Sequence, residues 1–424
     1  MLNYIDRIHP TPSGVRYTKK NKVLKKRIHL LLITLLLLVA GTFSISAQIV
    51  DAQGQYVDTV FNDNVDRTAE DFVTVSLMIA DPGSVFFTVL GHACLRLQCP
   101  TFNLDYCYSY ESEDMTNRVL DFLMGKLRMG LFAIPTEEYC DYYRSQGRGV
   151  REYKINLPSD IEINLWRVMD EHLAEGTSLS FDYFNRGCAI TCIRFLNQAL
   201  LGNGKIVYAP SLYEYSPTPC ELVKANTKNA LWVRFYWNFL VGEDVKDPLC
   251  GDRQLIIPVD LVKAWQQATI NGKVLISEEP NVLVEGEPQK ADGWFTPNMA
   301  TMLLLLLSIA NLFWKHPYFD WVMLILQTLF GIVLFYLIYF SNLCCASWNW
   351  MIIPFAPLPI MFWYWRKYWA LPYAVLLIIW CAFMISMPLW AQRIIDLSHV
   401  MLILAWIIIV IKQSNIAAKL VKKS

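Results

Sequence analysis

The chain has 424 residues, of which 54% are hydrophobic and 14% aromatic, more apolar than a soluble globular protein of this length. Its 37 Lys and Arg residues balance 37 Asp and Glu residues, so no net basic charge points to a nucleic-acid partner. The apolar excess lies at the two ends of the chain, where membrane segments account for it.

At the start, Lys19, Lys20, Lys22, Lys25, Lys26 and Arg27 precede an apolar run over 30–40, and Ser46-Ala47-Gln48 offers a small-residue cleavage point. Residues 1–47 therefore read as a short tail plus a secretory signal cut after Ala47, with an uncleaved anchor as the alternative. Residues 48–296 follow as an exported domain, with its core at about 70–205.

Within it, Thr74-Val75-Ser76-Leu77-Met78-Ile79-Ala80 has strand composition, and Asp81-Pro82-Gly83-Ser84 predicts a turn into a second strand over 85–90. Gly91 breaks that run before a strand over 92–97, and a further strand fits 104–110, giving a small antiparallel sheet that carries His92. Helical spacing covers 117–124, and another strand fits 150–157. A capping-box match of Ser159 with Glu162 opens an amphipathic helix to about 173. Tyr183-Phe184-Asn185-Arg186-Gly187 then turns into a helix beginning at Cys188 and ended by Gly202. Apolar runs at 230–240 and 255–265 and a Pro- and Glu-containing linker near 278–293 complete the domain.

Five apolar segments follow at 299–314, 321–340, 350–365, 369–391 and 400–411, within a membrane domain spanning 297–412 and ahead of a basic tail at 413–424. Exporting the large domain places Lys315, Arg366, Lys367, Lys412, Lys419, Lys422 and Lys423 in the cytoplasm, whereas the two opposite loops hold only Arg393. This agrees with the positive-inside rule.

Eight of the eleven cysteines lie in the exported domain, where an oxidising compartment permits disulfides, and Cys220 with Cys250 is one candidate pair. The chain has no CxxC, Walker loop, GxGxxG, HExxH or GxSxG, so neither a metal nor a cofactor is expected.

Outside the signal and membrane segments only His92 and His172 remain as imidazole bases. His172 follows Asp170-Glu171 on a polar helix face and reads as a surface residue. His92 begins a strand after a glycine, where a rigid sheet can aim it, and Cys188 stands at a helix start whose free N–H groups and dipole favour a thiolate. The pair supplies a nucleophile and a base, with the helix-start amides as oxyanion donors. Ser109, Asp105 and Glu111 are all candidates to orient the imidazole. Arg96 is a candidate contact for a lipid phosphate, with a surface arginine as the plainer reading, and Cys192 reads as a packed neighbour of Cys188. Gln327 and Asn349 read as interhelical hydrogen-bonding groups.

Pro82-Gly83, Gly91-His92-Ala93-Cys94-Leu95-Arg96, Asp105-Tyr106-Cys107-Tyr108-Ser109-Tyr110 and Tyr183-Phe184-Asn185-Arg186-Gly187-Cys188 together resemble the N-terminal periplasmic domain of Lnb-type bacterial lipoprotein N-acyltransferases. The five apolar segments, with Trp348-Asn349-Trp350 and Pro357-Leu358, resemble that family's membrane domain. The sequence departs from the family at Gly187, where Asn is usual before the cysteine, at Ser109, where Asn is common, and at Glu111, where Gly is common.

The resemblance implies an α+β, permuted papain-like exported domain of the NlpC/P60 or lecithin:retinol acyltransferase kind, followed by a five-span α-helical domain. It implies Cys188 as nucleophile and His92 as base in a bacterial inner-membrane protein, with the large domain in the periplasm and the C-terminus in the cytoplasm. The expected reaction moves an acyl chain from a membrane phospholipid, through a Cys188 thioester, to the α-amino group of a diacylglyceryl-cysteine lipoprotein within the lipid bilayer, without a cofactor. A membrane-tethered papain-like cysteine peptidase or amidase, and a noncatalytic envelope scaffold, are the alternatives.

Overall fold

The computed structural model describes residues 72–112, 118–176, 179–180, 182, 184–242, 247–314, 316–361, 363–386 and 396–414. The expected signal segment lies outside them, as do Lys315, Arg393 and the last ten residues of the basic tail.

A seven-stranded antiparallel sheet organises the first part of the chain. Its strands are β1 (Thr74–Ala80), β2 (His92–Cys99), β3 (Leu104–Glu111), β4 (Arg128–Pro135), β5 (Val150–Lys154) and the two-residue β6 (Leu179–Ser180). A small separate hairpin, β7 (Thr269–Ile270) and β8 (Lys273–Val274), precedes the last strand, β9 (Asn281–Val284). Strand order is β6-β4-β3-β2-β1-β5-β9. β1 is apolar almost throughout because both of its faces are covered, the pattern of a central strand.

Strand alternation splits the sheet into two faces. Val75, Leu77 and Ile79 with Ala93, Leu95 and Leu97 bury one face beneath helices α3 (Ser159–Ala174) and α4 (Cys188–Ala199). Met78, Ala80, Cys94 and Cys107 bury the other under helix α2 (Thr136–Ser145), through Tyr139, Cys140 and Tyr143. The short helix α1 (Val119–Leu123) leads into β4.

Three expectations are corrected here. Residues 84–90 form turns rather than a strand, and β1 pairs directly with β2, from Thr74 opposite Gln98 to Ala80 opposite His92. The loop closes on itself through Gly83 N–H to Thr88 O (2.8 Å) and Gly91 N–H to Thr88 O (2.9 Å), so its apolar side chains are free to pack below the sheet. The Ser159–Glu162 capping box is absent, since Pro158 is the N-cap and no side chain caps that helix. Burial lifts the Glu162 carboxyl to about 7. A capping box does form at Thr218 and Glu221, at the start of helix α5 (Pro219–Asn226). Cys220 is buried and Cys250 exposed, and no disulfide joins them, so the candidate bridge is not made.

The C-terminal part is helical: α6 (Leu231–Leu240) and α7 (Pro258–Trp265), then α8 (Pro297–Ala310), α9 (Tyr318–Tyr339), α10 (Arg366–Ser386) and α11 (Leu397–Lys412). Among the described residues two stretches, Tyr318–Tyr339 and Tyr368–Ser386, are long and apolar enough to cross a membrane, and three other apolar helices are shorter. The segment expected as one span over 350–365 is broken into single helical turns, Ile352–Phe355 and Leu358–Met361. Pro354, Pro357 and Pro359 each remove a donor that a continuous helix requires. Gln327 donates to the Pro354 carbonyl, and Asn349 Nδ2 donates to the Phe239 carbonyl at 2.9 Å, so both polar groups tie buried backbone.

Although it lies in the stretch assigned to the exported domain, α6 packs into the membrane bundle. Phe235 and Phe239 join the core of α9, α10 and α11, and the His399 ring stacks on Phe235 at 4.4 Å. Arg234 Nε and Asn238 Nδ2 both reach Asp396 Oδ2, at 3.1 and 2.7 Å. The opposite side of α6 meets the sheet domain: Trp237 contacts Phe184 edge-on at 5.9 Å, in a cluster with Val89, Leu90 and Ile190. Beside it, Phe86, Phe87 and Phe122 pack with Leu337 and Leu343 of the bundle, where Asn342 N–H donates to the Met124 carbonyl at 3.1 Å. Continuous apolar packing thus runs from the loop ahead of Cys188 into the helical bundle.

Candidate active site

Gly91 sets the start of β2. It has φ +84°, and a Cβ there would lie 2.8 Å from the Ala80 carbonyl, so a side chain at this position is excluded on both counts. The chain then enters the ladder at His92, whose Nε2 is 2.8 Å from Ser109 Oγ on β3. Ser109 is fully buried. Continuing the β2–β3 register places Glu111 opposite His92. Burial pushes the Glu111 carboxyl up to about 7, against the pull of the Ser109 hydroxyl, which favours its ionised form. A Ser109 hydroxyl donating to ionised Glu111 accepts from Nε2–H, and the lone pair of His92 then sits on Nδ1.

Burial is also the main cause that lowers the His92 ring to about 3, with the Arg148 charge adding to it. The imidazole is neutral across the physiological range.

The Cys188 turn is pre-formed. Asp182 Oδ1 accepts from the N–H groups of Phe184 (3.2 Å) and Asn185 (3.1 Å), and Arg194 Nη2 donates to the Asn185 carbonyl at 2.9 Å. Gly187 is the N-cap of α4 and supplies no side-chain acceptor, which leaves the first amides of the helix to the sulfur. The Cys188 sulfur is stabilised by the N–H groups of Ala93, Ala189 and its own residue. Burial nevertheless dominates and raises the thiol, with the Glu111 charge contributing in the same direction. Both Cys188 and His92 retain some exposed surface.

His92, Ser109 and Glu111 are therefore brought into one group, and Cys188 is brought to Ala93, the residue after His92. No hydrogen bond joins the sulfur to the imidazole among the described residues. Asp105 is directed elsewhere: it accepts from Arg96 (2.6 Å) and from Thr136 (2.6 Å). Arg96 has each of its three guanidinium nitrogens on a carboxylate, of Asp105 or of Glu152. His172 Nε2 lies 3.1 Å from Gln198 Oε1 and its ring packs on Phe195, away from the site. Cys192 is buried one turn below Cys188. Among the described residues no group of His, Cys, Asp and Glu has the arrangement of a metal site.

The sequence reading missed Arg148. It is a buried arginine beside this group, tied to the Asp81 carbonyl 67 residues earlier in the chain.

Two family descriptions match the chain: the Lnb N-terminal periplasmic domain over residues 63–214, and the Lnb transmembrane domain over residues 289–423. No curated protein and no solved structure matches it. The two matched regions together cover more than half of the chain, and they include the Cys188 and His92 elements and the helical bundle. The chain belongs to the Lnb family of membrane proteins of lipoprotein processing, with a periplasmic N-terminal domain and a transmembrane C-terminal domain.

Proposed function

We propose that this protein is an apolipoprotein N-acyltransferase of the bacterial inner membrane, acting at its periplasmic face with its C-terminus in the cytoplasm. The observation that carries the reading is the apolar packing from Phe184, four residues before Cys188, through Trp237 to the Phe235 and Phe239 face in the bundle. A thiol site joined in this way to membrane helices suits substrates that stay in the bilayer, because an acyl chain need not cross water to reach the sulfur. A peptidase draws no benefit from such a connection.

In the first step His92 Nδ1 takes the Cys188 proton as the sulfur attacks the ester carbonyl of a phospholipid. The S–C bond forms, the C–O bond breaks, and His92 returns the proton to the departing lysophospholipid oxygen. The Ala189 and Cys188 amides stabilise the oxyanion. In the second step the α-amino nitrogen of a diacylglyceryl-cysteine lipoprotein attacks the thioester. The N–C bond forms, the C–S bond breaks, and the amine proton passes through His92 to sulfur. Ser109, backed by Glu111, holds the imidazole in the tautomer that both steps require.

Mass spectrometry of lipoprotein N-termini, from cells that rely on this protein for N-acylation, tests the reading. Cys188→Ala and His92→Ala are each expected to leave lipoproteins diacylated. Triacylated lipoproteins from either variant would overturn it.

A further inference from the structure

Arg148 is only 6% exposed, yet none of the ion pairs among the described residues includes it. Its Nε donates to the Asp81 carbonyl at 2.6 Å and its Nη1 to Gln146 Oε1 at 3.2 Å, and the guanidinium lies 4.6 Å from the centre of the Tyr143 ring. Nη2 is buried with no hydrogen-bond partner. Of the nearby carboxylates, Asp81 is committed to Arg151, and Glu111, which shares the Tyr142 and Tyr143 surroundings, makes no ion pair with Arg148 among the described residues. A guanidinium cannot escape burial by losing its proton, so an uncompensated one is a standing site for an anion.

Its position matters for the chemistry. Asp81 opens the loop that delivers His92, a Cβ on Gly83 would lie 3.5 Å from Arg148 Cδ, and the Arg148 charge is felt by the His92 ring. The orphan donor therefore belongs to the same end of the sheet as the reacting groups.

We propose that Arg148 Nη2 binds the phosphodiester of the acyl donor, and so selects a phospholipid over a neutral glyceride and sets its ester carbonyl toward Cys188. This rests on the acyl-transfer reading above, in which the donor is a phospholipid. A planar fork with one free arm suits a phosphate oxygen, and the two occupied arms hold that arm in place.

Binding to the full chain in detergent, carrying Cys188→Ala so that no turnover occurs, tests the site without requiring the chemistry. The probes are dihexanoyl phosphatidylglycerol and dihexanoylglycerol, followed by tryptophan fluorescence, with inorganic phosphate as competitor. The phosphodiester lipid is expected to bind at least tenfold more tightly than the glyceride. Arg148→Gln, with an unchanged circular dichroism spectrum, should bring the two within threefold. A folded Arg148→Gln that keeps the tenfold preference overturns the proposal. If that variant does not fold, Arg148→Lys decides, since loss of the fork should cut the preference at least threefold and an undiminished preference overturns it. Competition by inorganic phosphate as strong as by the lipid would make this a free-phosphate site and overturn the lipid assignment. Failure of the acyl-transfer reading is separate: the wild-type chain would form no Cys188 thioester from phospholipid while the Arg148-dependent preference persisted.

Discussion

Replacing Glu111 with Gln isolates the electrostatic cost of the group that backs the His92–Ser109 pair. Glu111 is raised from an ordinary 4.5 to about 7, chiefly by burial. The folded protein therefore holds its proton between those values while the unfolded chain has released it. Folded-state proton binding exceeds that of the unfolded state in this window, so stability falls as pH rises through it. At about 1.36 kcal/mol per pH unit the ceiling is roughly 3 kcal/mol, most of it lost between pH 5 and pH 8. Glu111→Gln has no proton to lose. Its stability relative to wild type should improve by about 2 kcal/mol from pH 5 to pH 8, measured by urea unfolding of the full chain in detergent with tryptophan fluorescence. The same substitution should remove a rising limb near pH 7 from the rate of Cys188 thioester formation, because ionised Glu111 is the form that fixes the Ser109 hydroxyl. A stability difference that is equal at both pH values would refute the assignment of a buried, proton-holding Glu111.

Three other outcomes are expected. Ser109→Ala should slow thioester formation by roughly 10- to 100-fold with little loss of fold, and Ser109→Asn should restore much of it, since an amide oxygen also accepts from Nε2–H; rates from single turnover check this. Arg234→Ala strands Asp396 at the joint between α6 and α11 and should cost about 3 kcal/mol, whereas the Arg234→Leu and Asp396→Leu pair should recover most of it in thermal melts. Peptide mapping without reductant should find no Cys220–Cys250 bridge, and Cys250→Ser should leave the melting temperature unchanged, because Cys250 is exposed, Cys220 is buried and no disulfide joins them.

What could be read from the sequence was what local pattern encodes. The β1, β2 and β3 runs, the Gly91 break and the helix starting at Cys188 each announce themselves within about ten residues. Other features depend on partners far along the chain. β4 contains Gly130 and Pro135 and is held as a strand by its ladder to β3, which no local signal specifies. The burial of Arg96 between Asp105 and Glu152, the latter 56 residues on, has no local signal. Residues 85–90 have strand composition but pack as an apolar plug against the bundle, so tertiary packing overrides their propensity. α6 is similar, because its aromatic faces serve two cores at once and mark neither a soluble helix nor a span.

The packing that connects the site to the membrane also governs its charge state. Burial raises Cys188 and lowers His92, so the two are held neutral rather than as a thiolate–imidazolium pair. In the proposed thioester mechanism a wet cleft would expose the acyl-enzyme to hydrolysis, whereas a neutral thiol in a buried one reacts when an ester carbonyl and the helix-start amides are there to take up the developing charge. Nδ1, left unprotonated by the Ser109 bond to Nε2, is the base for that moment. On the proposed reaction, substrate arrival rather than pH therefore sets when Cys188 becomes nucleophilic, and the Glu111 carboxyl supplies the pH dependence that the cysteine–histidine pair does not.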